Sequence, residues 1–337
     1  VKSTLKADNE ADVITALSFV SLTNVARLQI LERVREEGSF ESVATLLTAR
    51  QRDVGSRIYD ECRQGHIEVR SILDPRYPKA LRYTEGAPLL LFVLGGKPDV
   101  VIPDNAIGVV GTRAASVHVC RHASEISSEL ASVGFTIVSG LALGIDGAAH
   151  RGSLEHAIDC PTVAVLAHGL DRVYPSSHQS LAAQIVAAGG LLISEYPPGT
   201  EPLKHHFLAR NRIIAGLSRG VVIVQAGARS GSLVTAQFAA DFGRDVFIVS
   251  PEKGDDRHAG GEVMLEQGAI EIIGARDVLR EYGIQFDAPK DVEVTIEEAL
   301  ALFGLTHVDL LSREIRGEVV RLQGNRVRIR QSSVLGS

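Results

Sequence analysis

Residues 135–150 read FTIVSGLALGIDGAAH, and this stretch decides the fold. An apolar, β-branched run, Phe135–Val138, breaks at Ser139 and Gly140. Gly144 follows, and a helical segment is expected to begin near Asp146. Strand, small-residue turn and helix in that order form the unit of an α/β sheet. The pattern repeats on both sides. Further strands are expected at IGVVG (107–111), TVAVLAHG (162–169), LLISEY (191–196), VVIVQA (221–226) and DVFIVS (245–250). These runs are apolar almost throughout, as strands covered on both faces should be. Helical stretches such as ASEISSELASVG (123–134) separate them. The expectation is a Rossmann-like, doubly wound, mostly parallel α/β sheet.

The flanks differ in texture. Residues 1–70 carry apolar residues at helical spacing, with Gly38 and Ser39 as punctuation and Ser39 as an expected N-cap. They read as a small helical, SAM-like domain. Short strands interrupted by Pro75, Pro78 and Pro88 then lead into the central domain, taken as 71–285. Residues 286–337 read as two helices and a hairpin turned at Gln323, Gly324 and Asn325, which is a short winged-helix-like module. The 337 residues carry a formal charge of −6 and 45% hydrophobic residues, so a large core is available and a protein coated in cations is excluded. Three scattered cysteines suggest neither a disulfide framework nor a thiolate metal site. The segment VKSTLKADNEADV lacks the apolar core of a signal peptide, and no apolar run is long enough to span a bilayer. A cytoplasmic location without membrane insertion is therefore expected.

In an open parallel sheet, ligands bind beyond the carboxyl ends of the strands. Three strand-to-helix junctions fall there. The first offers Gly111, Thr112 and Arg113; the second Ser139, Gly140 and Gly144; the third Gly227, Arg229, Ser230, Gly231 and Ser232. Small residues and free backbone N–H groups at a helix start suit an anion, above all phosphate. Beside them runs LKHHFLARNRIIAGLSRG (203–220). Positions 202–240 hold no Asp or Glu, yet include Lys204, Arg210, Arg212, Arg219 and Arg229. If a helix begins here, Lys204, Phe207 and Arg210 recur every three residues and are expected to share a face. Cations for phosphates and a ring for an unpaired base fit a single-stranded nucleic acid.

Other chemistry is less well served. Asp146 and His150 lie four apart, but no third ligand stands at useful spacing. The expectation is that Asp146 caps a helix or orients a loop and that no metal or cofactor is bound. The turn ARSGSLV contains no Gly-x-Ser-x-Gly elbow, GVVGTR is not a Gly-x-Gly-x-x-Gly fingerprint, and the chain has no Walker A sequence. No catalytic role is expected.

The segments VVGTRAAS, IVSGLALGIDGAAHRGSL, VLAHGLDRVYPSSHQSL, LLISEYPPGTEP, FLARNRIIAGLSRGVVIVQAGARSGSLVTAQFAADFGRDVF and MLEQGA, in order, resemble the DprA family, also called Smf. The likeness runs from about Ile67 to Ala269. It implies a Rossmann-like domain that binds incoming single-stranded DNA, a homodimer, and a mediator that loads the recombinase RecA during transformation or recombination. It assigns DNA contact to Gly111, Thr112 and Arg113, to Lys204, Phe207 and Arg210, and to Asn211 and Arg212. The sequence departs from the family at Glu252 and Glu262, which stand where glycine and asparagine are usual.

Two alternatives belong to other classes. One is a nucleotide sensor, for example a phage-defence module, using the same turns for a small ligand. The other is a nucleotide-processing enzyme related to phosphoribohydrolases. Thr235 stands where such an enzyme needs its glutamate.

Overall fold

The computed structural model describes residues 17, 24–96, 100–156, 160–250, 256–284, 292–303, 306–315, 319–322 and 324–329. The chain divides into two compact units, Val1–Glu281 and Tyr282–Ser337. Glu252 lies outside the described residues, while Glu262 is exposed on a helix.

The first unit opens with helices α1 (Asn24–Glu37), α2 (Glu41–Ala44) and α3 (Ala49–Gln64). Thr48 and Gln51 form a reciprocal capping box at the start of α3, satisfying two backbone donors that the first turn leaves unpaired. Ser39, the expected N-cap, stands one residue before the observed one. Its Oγ accepts from the Glu41 N–H at 3.0 Å, while Phe40 holds the cap itself. Leu31, Val34 and Phe40 belong to the same apolar cluster as Ile72 and Leu91 of the sheet region, so these helices share the core of the larger unit.

Strands β1 (Glu68–Ser71) and β2 (Leu90–Gly95) follow, separated by the short helix α4 (Lys79–Arg82). Then come β3 (Ala106–Val110), α5 (Val117–Ser132), β4 (Thr136–Ser139), α6 (Ile145–Ser153), β5 (Thr162–Leu166), α7 (Gln179–Ala187) and β6 (Leu191–Ser194). The return half holds α8 (Lys204–Leu217), β7 (Gly220–Ile223), α9 (Ser232–Asp241), β8 (Asp245–Val249), α10 (Ala259–Glu266), β9 (Ile270–Ile272) and α11 (Ala275–Glu281). All six expected strands are present.

The sheet order is β1-β2-β6-β5-β4-β3-β7-β8-β9. The seven strands from β6 to β9 in that order run parallel. β2 pairs antiparallel with β6, and β1 antiparallel with β2. The proline-broken segment is therefore two strands that extend one edge of the sheet. Strands β3, β4, β5 and β7 are buried at every position, which explains their unbroken apolar sequences. From β3 the chain builds outward through β4, β5 and β6. It then returns to lay β7 on the other side of β3. The order thus reverses between β3 and β7, and that junction is where a doubly wound sheet opens a crevice.

The second unit contains β10 (Val292–Thr295), α12 (Ile296–Phe303), α13 (His307–Ile315), β11 (Val319–Leu322) and β12 (Arg326–Ile329). Its antiparallel sheet has the order β10-β12-β11. Val294, Ala299, Leu310, Val319 and Val327 form its small core. The expected helices and hairpin are joined by a strand that precedes them and pairs with β12. Gly324 and Asn325 turn the hairpin with positive φ angles of 75° and 59°; Gln323 lies outside the described residues. Among the described residues no helix is long and apolar enough to cross a membrane.

Candidate nucleic-acid interface

A cleft of about 200 Å³ opens at the carboxyl ends of β3 and β7. Residues from all three junctions line it: Thr112 and Arg113, Ala142 and Asp146, Ser230 and Ser232. The turns hold one another in place. The Thr112 N–H donates to the Gln225 carbonyl at 2.9 Å, tying the turn after β3 to that after β7. The Ile145 N–H donates to the Thr112 carbonyl at 3.3 Å, bringing in the turn after β4. This closeness explains two glycines. Gly144 has φ 73°, and a Cβ there would lie 2.5 Å from the Thr112 carbonyl oxygen; at Gly111 it would lie 2.3 Å from Ile145 Cδ1.

Helix α8 begins at Lys204 and crosses the mouth of the cleft. Lys204 and Arg113 are exposed, as is Arg229 in the loop after β7. The Arg113 guanidinium sits over the Phe207 ring, 5.0 Å from its centroid, in a cation–π contact. Phe207 is half-buried and lines the cleft. Arg113 and Phe207 therefore meet at one rim although they come from different elements, and Lys204 stands about one turn before Phe207 on α8. The Ser230 and Ser232 hydroxyls lie 2.7 Å apart at the start of α9, and Gly231 between them is exposed.

Arg210 breaks the expected row. It is 3% exposed and shares no open face with Lys204 and Phe207. Its guanidinium donates to the Gly140 carbonyl at 2.8 Å, to the Val165 carbonyl, and through Nε to Asn211 Oδ1 at 3.2 Å. Asn211 in turn donates to the Gly231 carbonyl at 3.0 Å. This pair stitches the ends of β4, β5 and β7 together from below. Arg212 is also committed elsewhere. It forms a two-pronged ion pair with Glu195 at 2.6 and 2.7 Å and donates to the Gly86 carbonyl at 2.9 Å. The spacing of three is real, but the cleft's inner wall curves around the helix and buries its third member. Ser139 is also internal: its hydroxyl donates to the Val109 carbonyl at 2.6 Å. Gly140 lies against the Arg210 guanidinium, where a Cβ would stand 2.2 Å from a nitrogen.

Asp146 orients a loop. Its Oδ2 accepts from the Gly140 N–H at 3.1 Å. Burial pushes its pKa above the usual carboxylate value, against the pull of Arg210 and of backbone donors at Ala142 and Gly140. Burial also draws the Arg210 pKa down to about 10, with Asp146 opposing that shift. His150 lies apart from this couple and is fully buried. The Thr162 hydroxyl donates to the Ile137 carbonyl at 2.7 Å and so accepts from His150 Nδ1–H at 2.7 Å. Burial holds the His150 pKa down to about 3, so the ring is neutral.

Tyr174 lies inside the segment VLAHGLDRVYPSSHQSL, but neither charge nor spacing marks it as a site residue. This residue follows β5 in a loop, and its ring centroid lies 5.7 Å from that of Phe207. Only the fold brings it to the rim.

A switch-point cleft lined by three linked glycine-bearing turns, with an exposed cation over a ring at its mouth, is the ligand crevice of a Rossmann-like protein. Comparison with known proteins makes the class specific. A sequence model of the family described as DNA recombination-mediator protein A matches residues 68–283. The chain belongs to this family of DNA-processing recombination mediators. It is 36% identical to protein Smf of Escherichia coli over 287 residues, covering 76% of each chain. Among solved structures, it resembles DNA processing protein A of Streptococcus pneumoniae with a TM-score of 0.65 and 35% identity, covering 81% of this chain and 98% of that one. It also resembles DNA processing protein A of Helicobacter pylori, whose single-stranded DNA binding mode that structure describes. There the TM-score is 0.56 and the identity 28%, covering 64% of this chain and 95% of that one.

Proposed function

We propose that this chain binds single-stranded DNA in the cleft between β3 and β7 and presents it to a RecA-type recombinase in the cytoplasm, acting as a homodimer and without catalysis. The observation that carries the reading is the rim itself. Exposed Arg113 lies over the Phe207 ring, exposed Lys204 stands about one turn before Phe207 on α8, and the turns beside them offer backbone N–H groups. No carboxylate occurs from 202 to 240, so a phosphate backbone meets no like charge from this segment. A purely binding role agrees with the chemistry of the cleft. Thr235 stands buried where a phosphoribohydrolase would carry its glutamate, and Asp146 holds a loop and faces Arg210. In this arrangement Gly111, Thr112, Ser230, Gly231 and Ser232 form the phosphate cradle. Gly144, Arg210 and Asn211 shape it from behind.

The test is fluorescence anisotropy with labelled single-stranded and duplex oligonucleotides at several salt concentrations. Tight binding to single strands, weaker binding to duplex and a steep salt slope are expected. Failure to bind single strands at low salt, or saturation by a mononucleotide alone, would refute the reading.

A further inference from the structure

Tyr174 belongs to none of the three turns that cradle phosphate. It is nevertheless a large aromatic residue 46% exposed at the mouth of the cleft. Its ring is inclined at 56° to Phe207, with centroids 5.7 Å apart. A base inserted between two rings needs contact distance on both of its faces, about 7 Å in all. The gap is too small, so Tyr174 and Phe207 act as one packed pair. Phe207 already carries the Arg113 guanidinium at 5.0 Å. The aromatic surface left open to a ligand is therefore that of Tyr174.

The surroundings point to the same occupant. Leu143 in the turn after β4, and Leu203 and Leu208 at the start of α8, are also 46% exposed. These segments and the Tyr174 loop all lie beyond the carboxyl ends of the strands. A phosphate alone would leave such apolar surface in water. An unpaired base would cover it, because a base has a flat apolar face. The Tyr174 loop also carries Asp171, whose carboxylate accepts from Arg172 and from the Gly199 N–H at 2.8 Å. Arg172 is shared with Glu201 at 3.9 Å, so two carboxylates face one cation there, and that side suits bases better than phosphates.

We infer that Tyr174 is the outer base-stacking platform of the DNA site, backed by Phe207 and Arg113, and that it takes an unpaired base whose flanking phosphate reaches the cradle. This rests on the single-stranded DNA reading above. It locates the preference for single strands in one side chain: duplex DNA offers the same phosphates but keeps its base faces stacked.

The chain has no tryptophan, so Tyr174→Trp installs a unique reporter. Its emission should be quenched on binding a single-stranded oligonucleotide, and not on binding an abasic strand with the same number of phosphates. Tyr174→Ala should bind single strands about tenfold more weakly, as expected for loss of one stacked base, with its salt slope unchanged. Tyr174→Phe should stay within about twofold of the parent, since stacking needs only the ring. Full affinity in Tyr174→Ala, or an unquenched tryptophan in a complex that anisotropy shows to be formed, would overturn the assignment while leaving the binding function intact. A parent protein that binds no single-stranded DNA would overturn both.

Discussion

Replacing Arg210 by methionine separates positioning from contact. Methionine keeps the apolar stem and much of the volume but ends near the position of Nε, so the guanidinium head, its charge and its donors vanish. The Gly140 and Val165 carbonyls, deep beneath the cleft, lose a charged donor. Each buried acceptor left without a partner costs about 1–3 kcal/mol. Asp146 loses the nearby cation that opposes its desolvation. Against this, the variant no longer buries an arginine ion, a burden visible in the Arg210 pKa of about 10. The net expectation is a stability loss of about 3 kcal/mol at neutral pH, read from urea unfolding.

The loss should depend on pH in a defined direction. A carboxyl whose folded pKa is raised binds its proton more readily in the native state. Its burden is absent below the unfolded value and grows as pH rises through the folded value. Removing Arg210 raises the folded value further, so the deficit should narrow in acid, and Asp146→Asn in the same chain should recover part of it. Single-stranded DNA binding should weaken because the turns loosen, yet the salt slope should not change, since Arg210 meets no phosphate. A salt slope lowered by about one unit would mean that the guanidinium reaches the DNA, and a stability change under about 0.5 kcal/mol would mean that it does not staple the turns. Either result refutes the reasoning.

Three further predictions concern the rim and the core. Arg113→Ala and Lys204→Ala should each weaken binding to all sequences and lower the salt slope by about one unit, whereas Phe207→Ala should cost about 1–3 kcal/mol with the slope kept; full-strength binding by the triple variant would remove the site from this rim. Gly144→Ala combines φ 73° with a 2.5 Å approach to the Thr112 carbonyl, so it should destabilise the chain by about 1–3 kcal/mol and weaken DNA binding, as unfolding and anisotropy titrations would show. His150, held neutral with a pKa of about 3, takes up a proton on unfolding between the ordinary histidine value of 6.5 and about 3. It should therefore make stability fall as pH drops through that window, and His150→Gln should flatten the acid limb of an unfolding-versus-pH curve.

The strands were legible because both faces are covered. Val109, Ile137, Val163 and Ile223 have no exposed side, so the sequence shows apolar runs with little alternation. β9 escaped because it is a three-residue edge strand with Glu271 exposed at its centre. β1 and β2 were expected only as short strands interrupted by Pro75, Pro78 and Pro88, which fall between them, and their place at the sheet edge follows from pairing that the sequence does not show. At the proposed site, charge and spacing mark Arg113, Lys204 and Phe207. Arg210 could not be assigned a direction, because a spacing of three says which residues align and not which way the wall bends. Tyr174 was invisible for a different reason. Loop residues have no periodicity, and their neighbours follow from the tertiary path.

Helix α8 is polar along its length instead of around its circumference. Its first turn, with Lys204 and His205, faces solvent, while Ile213 through Leu217 are wholly enclosed. It resembles a peg driven into the sheet with its tip left proud. A push on the tip has nowhere to dissipate, since the root is clamped by Glu195 and Gly86 through Arg212 and by the core around Ile214. Tolerance to substitution should grade along the axis, with a free hand at the tip for retuning which strands are gripped and almost none from Ile213 onward.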